Sequence, residues 1–119
     1  MPRSVLVVDD DASFRELASR TLRSWGFSVV GEAGTVAEAL ARADELRPDA
    51  ALVDIGLPDG DGFGIAREFA QRPWTLRVVL ISSDSDTANH GLAERVGAAG
   101  FVPKDELLGP SLRQLMAGD

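Results

Sequence analysis

At 119 residues with no cysteine, the chain has room for one compact domain and excludes disulfide staples and thiolate metal sites. Its 19 Asp and Glu against 12 Lys and Arg give a net charge of −7 with no basic run, which argues against direct contact with a nucleic-acid backbone. Met1-Pro2-Arg3-Ser4 leads straight into a short apolar run, far short of a signal peptide or membrane span, so no membrane contact and a cytoplasmic location are expected.

The first apolar run, Val5–Val8, is followed by Phe14, Leu17, Ala18, Leu22 and Trp25 at helical spacing. Ser13 and Glu16 fit a capping box at the start of that helix, and Asp11 reads as an N-cap in preference to a metal ligand. Phe27–Val30 predicts a second strand. Thr35 with Glu38 then repeats the start signal ahead of Val36, Ala39, Leu40 and Ala43. After a third run, Ala50–Val53, the glycine-rich loop Pro58–Gly62 leads into a helix carrying Phe63, Ala66 and Phe69. Arg77–Ile81 predicts a fourth strand. The helix expected over about Thr87–Val96 is weaker, because Gly91 interrupts it and its apolar positions are sparse. Ala99–Val102 supplies a fifth strand, and Pro110, after Gly109, suits the first position of a last helix with Leu112, Leu115 and Met116. Ala117-Gly118-Asp119 closes the chain directly after it, so no output domain is expected within these residues.

The apolar runs lack polar alternation, which predicts strands buried on both faces of a parallel sheet. Five strands alternating with five helices predict a single α/β domain over residues 1–119, doubly wound with right-handed crossovers.

In an open parallel sheet, ligands bind beyond the carboxyl ends of the strands. This chain places Asp9, Asp10 and Asp11 after the first strand, Asp54 after the third, Ser82 and Ser83 after the fourth, and Lys104 after the fifth. Two carboxylates about 4 Å apart repel by roughly 4 kcal/mol at an effective dielectric of about 20, so a cleft holding several needs protons or a cation. Oxygen ligands without His or Cys favour a hard ion, with Mg²⁺ the natural candidate. A carboxylate, a hard ion, a hydroxyl and a lysine around one point make a phosphoryl site, with the carboxylate as nucleophile.

Val7-Val8-Asp9-Asp10, Val53-Asp54-Ile55-Gly56-Leu57-Pro58 with Asp61-Gly62, Ile81-Ser82-Ser83, and Gly100-Phe101-Val102-Pro103-Lys104 resemble the four motif blocks of response-regulator receiver domains, the CheY-like family. They occur in that family's order and spacing. The resemblance implies a flavodoxin-like (βα)5 sheet of order 2-1-3-4-5, with Asp54 accepting a phosphoryl group from a sensor histidine kinase or phosphotransfer protein. It also implies a Mg²⁺ site of Asp10, Asp54, the Gly56 backbone carbonyl and, through water, Asp9. By the same resemblance Lys104 pairs with phosphoryl oxygens and Ser82 hydrogen-bonds the new group. The resemblance further implies that the Phe101 rotamer follows the active state and that the face of the fourth helix, fifth strand and fifth helix switches for partner binding or homodimerisation. Such a domain catalyses only its own phosphorylation and dephosphorylation.

The chain departs from the family's pattern at Lys104-Asp105, where Lys-Pro is frequent, and at Pro103, which belongs on an edge strand. Phe101 has no hydroxyl, so switching there acts through packing. Gly56 and Asp84 stand at positions that tune acyl-phosphate lifetime in the family. Trp25 and Trp74 read as packing residues, and His90 as a surface residue without a ligand role. A haloacid-dehalogenase-type hydrolase would need a second Asp where Gly56 stands. A receiver-like module that dimerises without phosphorylation is the remaining alternative.

Overall fold

The computed structural model describes residues 3–83 and 88–118. Asp84 and Thr87, named above, lie outside the described residues. Strands β1 (Ser4–Val8), β2 (Ser28–Ala33), β3 (Ala50–Asp54), β4 (Arg77–Ser82) and β5 (Gly100–Pro103) form one parallel sheet in the order β2-β1-β3-β4-β5. This is the 2-1-3-4-5 order the motif resemblance implies. Among the described residues, no helix is long and apolar enough to cross a membrane.

Successive strand side chains point to opposite faces, and the two layers of core follow that alternation. Leu6, Val8, Ala51, Val53, Val78, Leu80 and Phe101 meet helices α2 (Val36–Leu46), α3 (Gly62–Ala70) and α4 (Ala88–Arg95) on one face. Val5, Val7, Ala50, Leu52, Val79, Ile81 and Val102 meet α1 (Ala12–Ser24) and α5 (Pro110–Ala117) on the other. Strands β1 and β3 are buried on both faces, as continuous apolar runs require. Strand β2 is not: Ser28, Val30 and Glu32 are exposed. Its position at the sheet edge leaves it beyond the full cover of the helices. Pro103 ends β5, the opposite edge, where a missing N–H costs no ladder bond.

Helix starts show which local signal wins. Asp11, with extended backbone, caps α1 by accepting from the N–H groups of Ser13 (2.9 Å) and Phe14 (3.4 Å). Ser13 therefore lies inside the helix, and the Ser13–Glu16 capping box does not form. Glu16 instead takes an exposed ion pair with Arg20 one turn on. At α2 the Thr35 hydroxyl does accept from Glu38 N–H (3.0 Å), while the Glu38 carboxylate takes Gly34 N–H (3.0 Å). The N–H groups of Val36 and Ala37 go to Asp59, from the loop after β3, at 2.7 and 3.1 Å.

That loop contains an antiparallel pair, Gly56–Leu57 with Gly60–Asp61, too short to leave a pattern in the sequence. Asp61 then caps α3 by accepting from Gly64 N–H at 2.8 Å. Gly62 lies directly behind the end of β3: a Cβ there would sit 2.6 Å from the Asp54 carbonyl oxygen and 3.0 Å from Ile55 Cα. After β5 the chain makes one 3₁₀ turn, Lys104–Glu106, before Pro110 opens α5 as expected.

Trp25 closes the carboxyl end of α1 beneath the Arg113 guanidinium, and Trp74 donates its Nε1–H to Pro48 O at 3.0 Å under Arg47. Trp25 packs against the core beneath α1 and α5, as the sequence reading expects, whereas the contacts of Trp74 are with Pro48 and Arg47.

Gly62→Ala is expected to lower the free energy of unfolding by about 1–3 kcal/mol, because the added methyl meets backbone that has little room to move. Urea denaturation of the two proteins checks it. The two N–H groups that Asp59 accepts hold its carboxyl below its ordinary 3.8. Its contribution to stability is therefore complete above that unfolded value and is lost as pH falls through the lower folded one. Asp59→Ala is expected to unfold earlier than wild type at about pH 5, with the difference narrowing as pH falls below 3.8. Urea midpoints across that range measure it.

Candidate functional site

Strand register assembles the rim. Val8 is level with Val53 across β1 and β3, which brings the next residues, Asp9 and Asp54, side by side. Asp54 is level with Ile81, and Ser82 with Pro103, so Ser82 and Lys104 follow at the ends of β4 and β5. Four separate stretches of sequence thus end at one edge. Asp9, Asp54 and Ser82 are buried there, whereas Asp10 is exposed.

Carboxylate oxygens of Asp9, Asp10 and Asp54 lie within 4.8 Å of one another. Lys104 Nζ stands 2.7 Å from Asp9 Oδ2 and 3.4 Å from Asp54 Oδ2. Among the described residues, no well-aligned hydrogen bond reaches Asp9 Oδ2, so its attachment to Lys104 is an electrostatic contact. Three carboxylates and one ammonium leave two formal negative charges on these four groups. An all-oxygen donor set with that excess of charge fits a hard divalent cation. Asp11 is not in the cluster; it serves as the N-cap of α1.

Burial pushes the Asp54 carboxyl above its ordinary range, and the Asp9 charge pushes it the same way. Lys104 and the Gly56 N–H, 3.4 Å from Asp54 Oδ1, pull it back without cancelling the rise. Burial alone would lower Lys104; the close contact with Asp9 and the charges of Asp54 and Asp9 outweigh it, so its pKa is raised. The pocket therefore holds a firmly charged ammonium beside a carboxylate whose charge costs free energy.

Gly56 is exposed, and a Cβ added there would meet nothing within 4 Å. The backbone thus reaches the rim with open space above it. Phe101 is buried among the side chains beneath α2, α3 and α4. His90, on α4, meets it edge to face with ring centres 5.1 Å apart, a partner invisible in the sequence.

Three residues of the site were not singled out by the sequence reading. Phe14, in the first turn of α1, places its ring centre 4.4 Å from Lys104 Nζ. Arg15, half-buried, donates from Nη1 to the Asp9 carbonyl at 2.6 Å and from Nε to Glu32 at 3.0 Å. Gly62 lets the chain fold back behind Asp54. The available signal was an arginine next to core positions one turn after the acidic run.

The response regulator receiver domain family matches residues 5–113. The DNA-binding transcriptional activator DevR/DosR of Mycobacterium tuberculosis is 37% identical over 107 residues, 88% of this chain and 48% of that protein. The chain spans about half the length of the curated relatives it matches, or less. Among solved structures, the signal receiver domain of the response regulator NarL from Mycobacterium tuberculosis superimposes with a TM-score of 0.84 at 36% identity, covering 96% of both chains. Chemotaxis response regulator CheY4 of Vibrio cholerae gives 0.80 at 26% identity, covering 97% of this chain and 99% of that one. The rim of acids facing a lysine, the 2-1-3-4-5 sheet and a family match over nearly the whole length agree: the chain belongs to the response regulator receiver domains of two-component signalling.

Proposed function

We propose that the receiver unit, residues 1–119, takes a phosphoryl group on Asp54 from a sensor histidine kinase or phosphotransfer protein. The observation that carries this reading is the placement of a buried Asp54 between the Asp9–Asp10 pair and Lys104. An oxygen of Asp54 bonds phosphorus as the P–N bond of the donor phosphohistidine breaks, and the imidazole leaves with a proton from solvent. Asp10, Asp54 and the Gly56 carbonyl would hold Mg²⁺, with Asp9 reaching it through water. Bound there, the ion supplies charge neutralisation at the phosphoryl oxygens. Lys104 turns from the two carboxylates to the transferred group, and Ser82 donates its hydroxyl to it.

Apolar ground for a phosphodonor protein lies next to the rim. Leu17 and Leu108 are 47% and 75% exposed and line a groove that also includes Lys104. A group carrying about −1.5 to −2 charge in this pocket shifts a two-state equilibrium. Phe101, under His90, couples that shift to the face of α4, β5 and α5 for a partner or a second copy. The catalysis is confined to the domain's own acyl phosphate.

Acetyl phosphate with Mg²⁺ is expected to add one phosphoryl group, seen by intact-mass measurement, and Asp54→Asn to abolish it; an adduct that persists in the variant refutes the assignment. Because the folded pKa of Asp54 is raised, stability falls as pH rises from its unfolded value through its folded one. At neutral pH the ionised Asp54 therefore weighs against the fold. Asp54→Asn is expected to raise Tm at about pH 7, with the gain disappearing below about pH 4. Mg²⁺ is expected to raise the wild-type Tm at neutral pH, and chelation to reverse it. Thermal scans across pH decide both.

A further inference from the structure

We propose that Phe14 is a positioning residue for Lys104, holding the ammonium at the rim on the face of its ring. This rests on the phosphoryl-transfer reading of Asp54. Lys104 Nζ lies 4.4 Å from the ring centre, within the range where the negative face of an aromatic ring attracts a cation. The two carboxylates at the same ammonium, Asp9 at 2.7 Å and Asp54 at 3.4 Å, are both groups the reaction alters. Asp54 becomes an acyl phosphate, and Asp9 turns toward a cation. The phenyl ring takes up no proton, metal or phosphoryl group. It is a neighbour of Lys104 that the reaction leaves unchanged.

Hydrogen bonds tie the ring to the same acid that pairs with the lysine. Asp11 N–H donates to Asp9 Oδ1 at 2.9 Å, and Asp11 Oδ1 in turn accepts from Phe14 N–H at 3.4 Å. Asp9 Oδ2 meets Lys104, and Lys104 meets the Phe14 ring. The circuit closes on itself, so before transfer the acid, the first turn of α1 and the ammonium share one geometry. A lysine stem has four rotatable bonds, and ordering it during the transfer would cost rotamer entropy. A stem whose ammonium already stands over the ring has lost part of that freedom before the phosphoryl group arrives.

Phe14 is half-buried and also packs against the core beneath α1 and α5, so a purely structural role must be separated from a positioning one. Phe14→Leu keeps most of the volume and removes the aromatic face; Phe14→Tyr keeps the face. In Mg²⁺-free protein, ring current is expected to shift the Lys104 ε-methylene protons upfield in wild type and F14Y, and not in F14L. With acetyl phosphate and saturating Mg²⁺, F14L is expected to phosphorylate about three- to tenfold more slowly than wild type, and F14Y to recover most of the rate. A leucine variant at the wild-type rate, a tyrosine variant as slow as the leucine one, or methylene shifts indifferent to F14L would overturn the proposal. A wild-type chain that takes up no phosphoryl group overturns the proposed function and this inference with it. A phosphorylated wild type beside an indifferent F14L overturns this inference alone.

Discussion

The rim depends on one electrostatic constraint: a fully buried carboxylate must have a compensating charge beside it. Asp9 has no exposed surface, and the cation that meets it is the half-buried Lys104. Breaking a buried pair by removing one partner is far more costly than the pair is worth, so each group fixes the other's place. Asp54 then enters a pocket where one positive charge is already shared. The excess negative charge that results makes the site receptive to a cation and makes its nucleophile sensitive to surroundings.

The sheet meets this constraint without strain. Parallel strands all present their carboxyl ends to one edge, so residues at or just past the end of each strand converge whatever their separation in sequence. The rest of the chain holds that edge steady. Arg15 and the N–H of Asp9, bonded to Ala33 O, pin the end of β1 to β2. Asp59 and Gly62 hold the loop after β3 against α2 and against β3 itself. Loops are ordinarily the mobile part of a domain, and this one is braced on both sides.

Much of this was legible in the sequence. Five apolar runs located five strands to within a few residues, and four motif blocks named the rim. Periodicity registers local burial, and burial by helices on both faces is what β1, β3 and β4 have. It misled at β2, whose apolar run looked like a central strand although its neighbour lies on one side only. Capping was ambiguous at α1, where two acceptors lay two residues apart and backbone conformation selected Asp11 over Ser13. Contacts across elements left no local trace. Phe14 reads as an ordinary core position, and its partner is ninety residues further along the chain. The Asp59 bonds to α2 and the His90 contact with Phe101 are of the same kind.

The placement of the two tryptophans has an optical consequence. α1 carries Trp25 roughly 20 Å along its axis from the capping Asp11. Trp74, bonded to Pro48, sits before the first residue of β3, about 13 Å of strand away from Asp54. Both indoles thus report from the pole opposite the acids, each beneath its own guanidinium. Intrinsic emission from this protein is a gauge of global unfolding and nearly blind to events among the carboxylates. A dye or an isotope label at the acidic pole is the instrument that sees them.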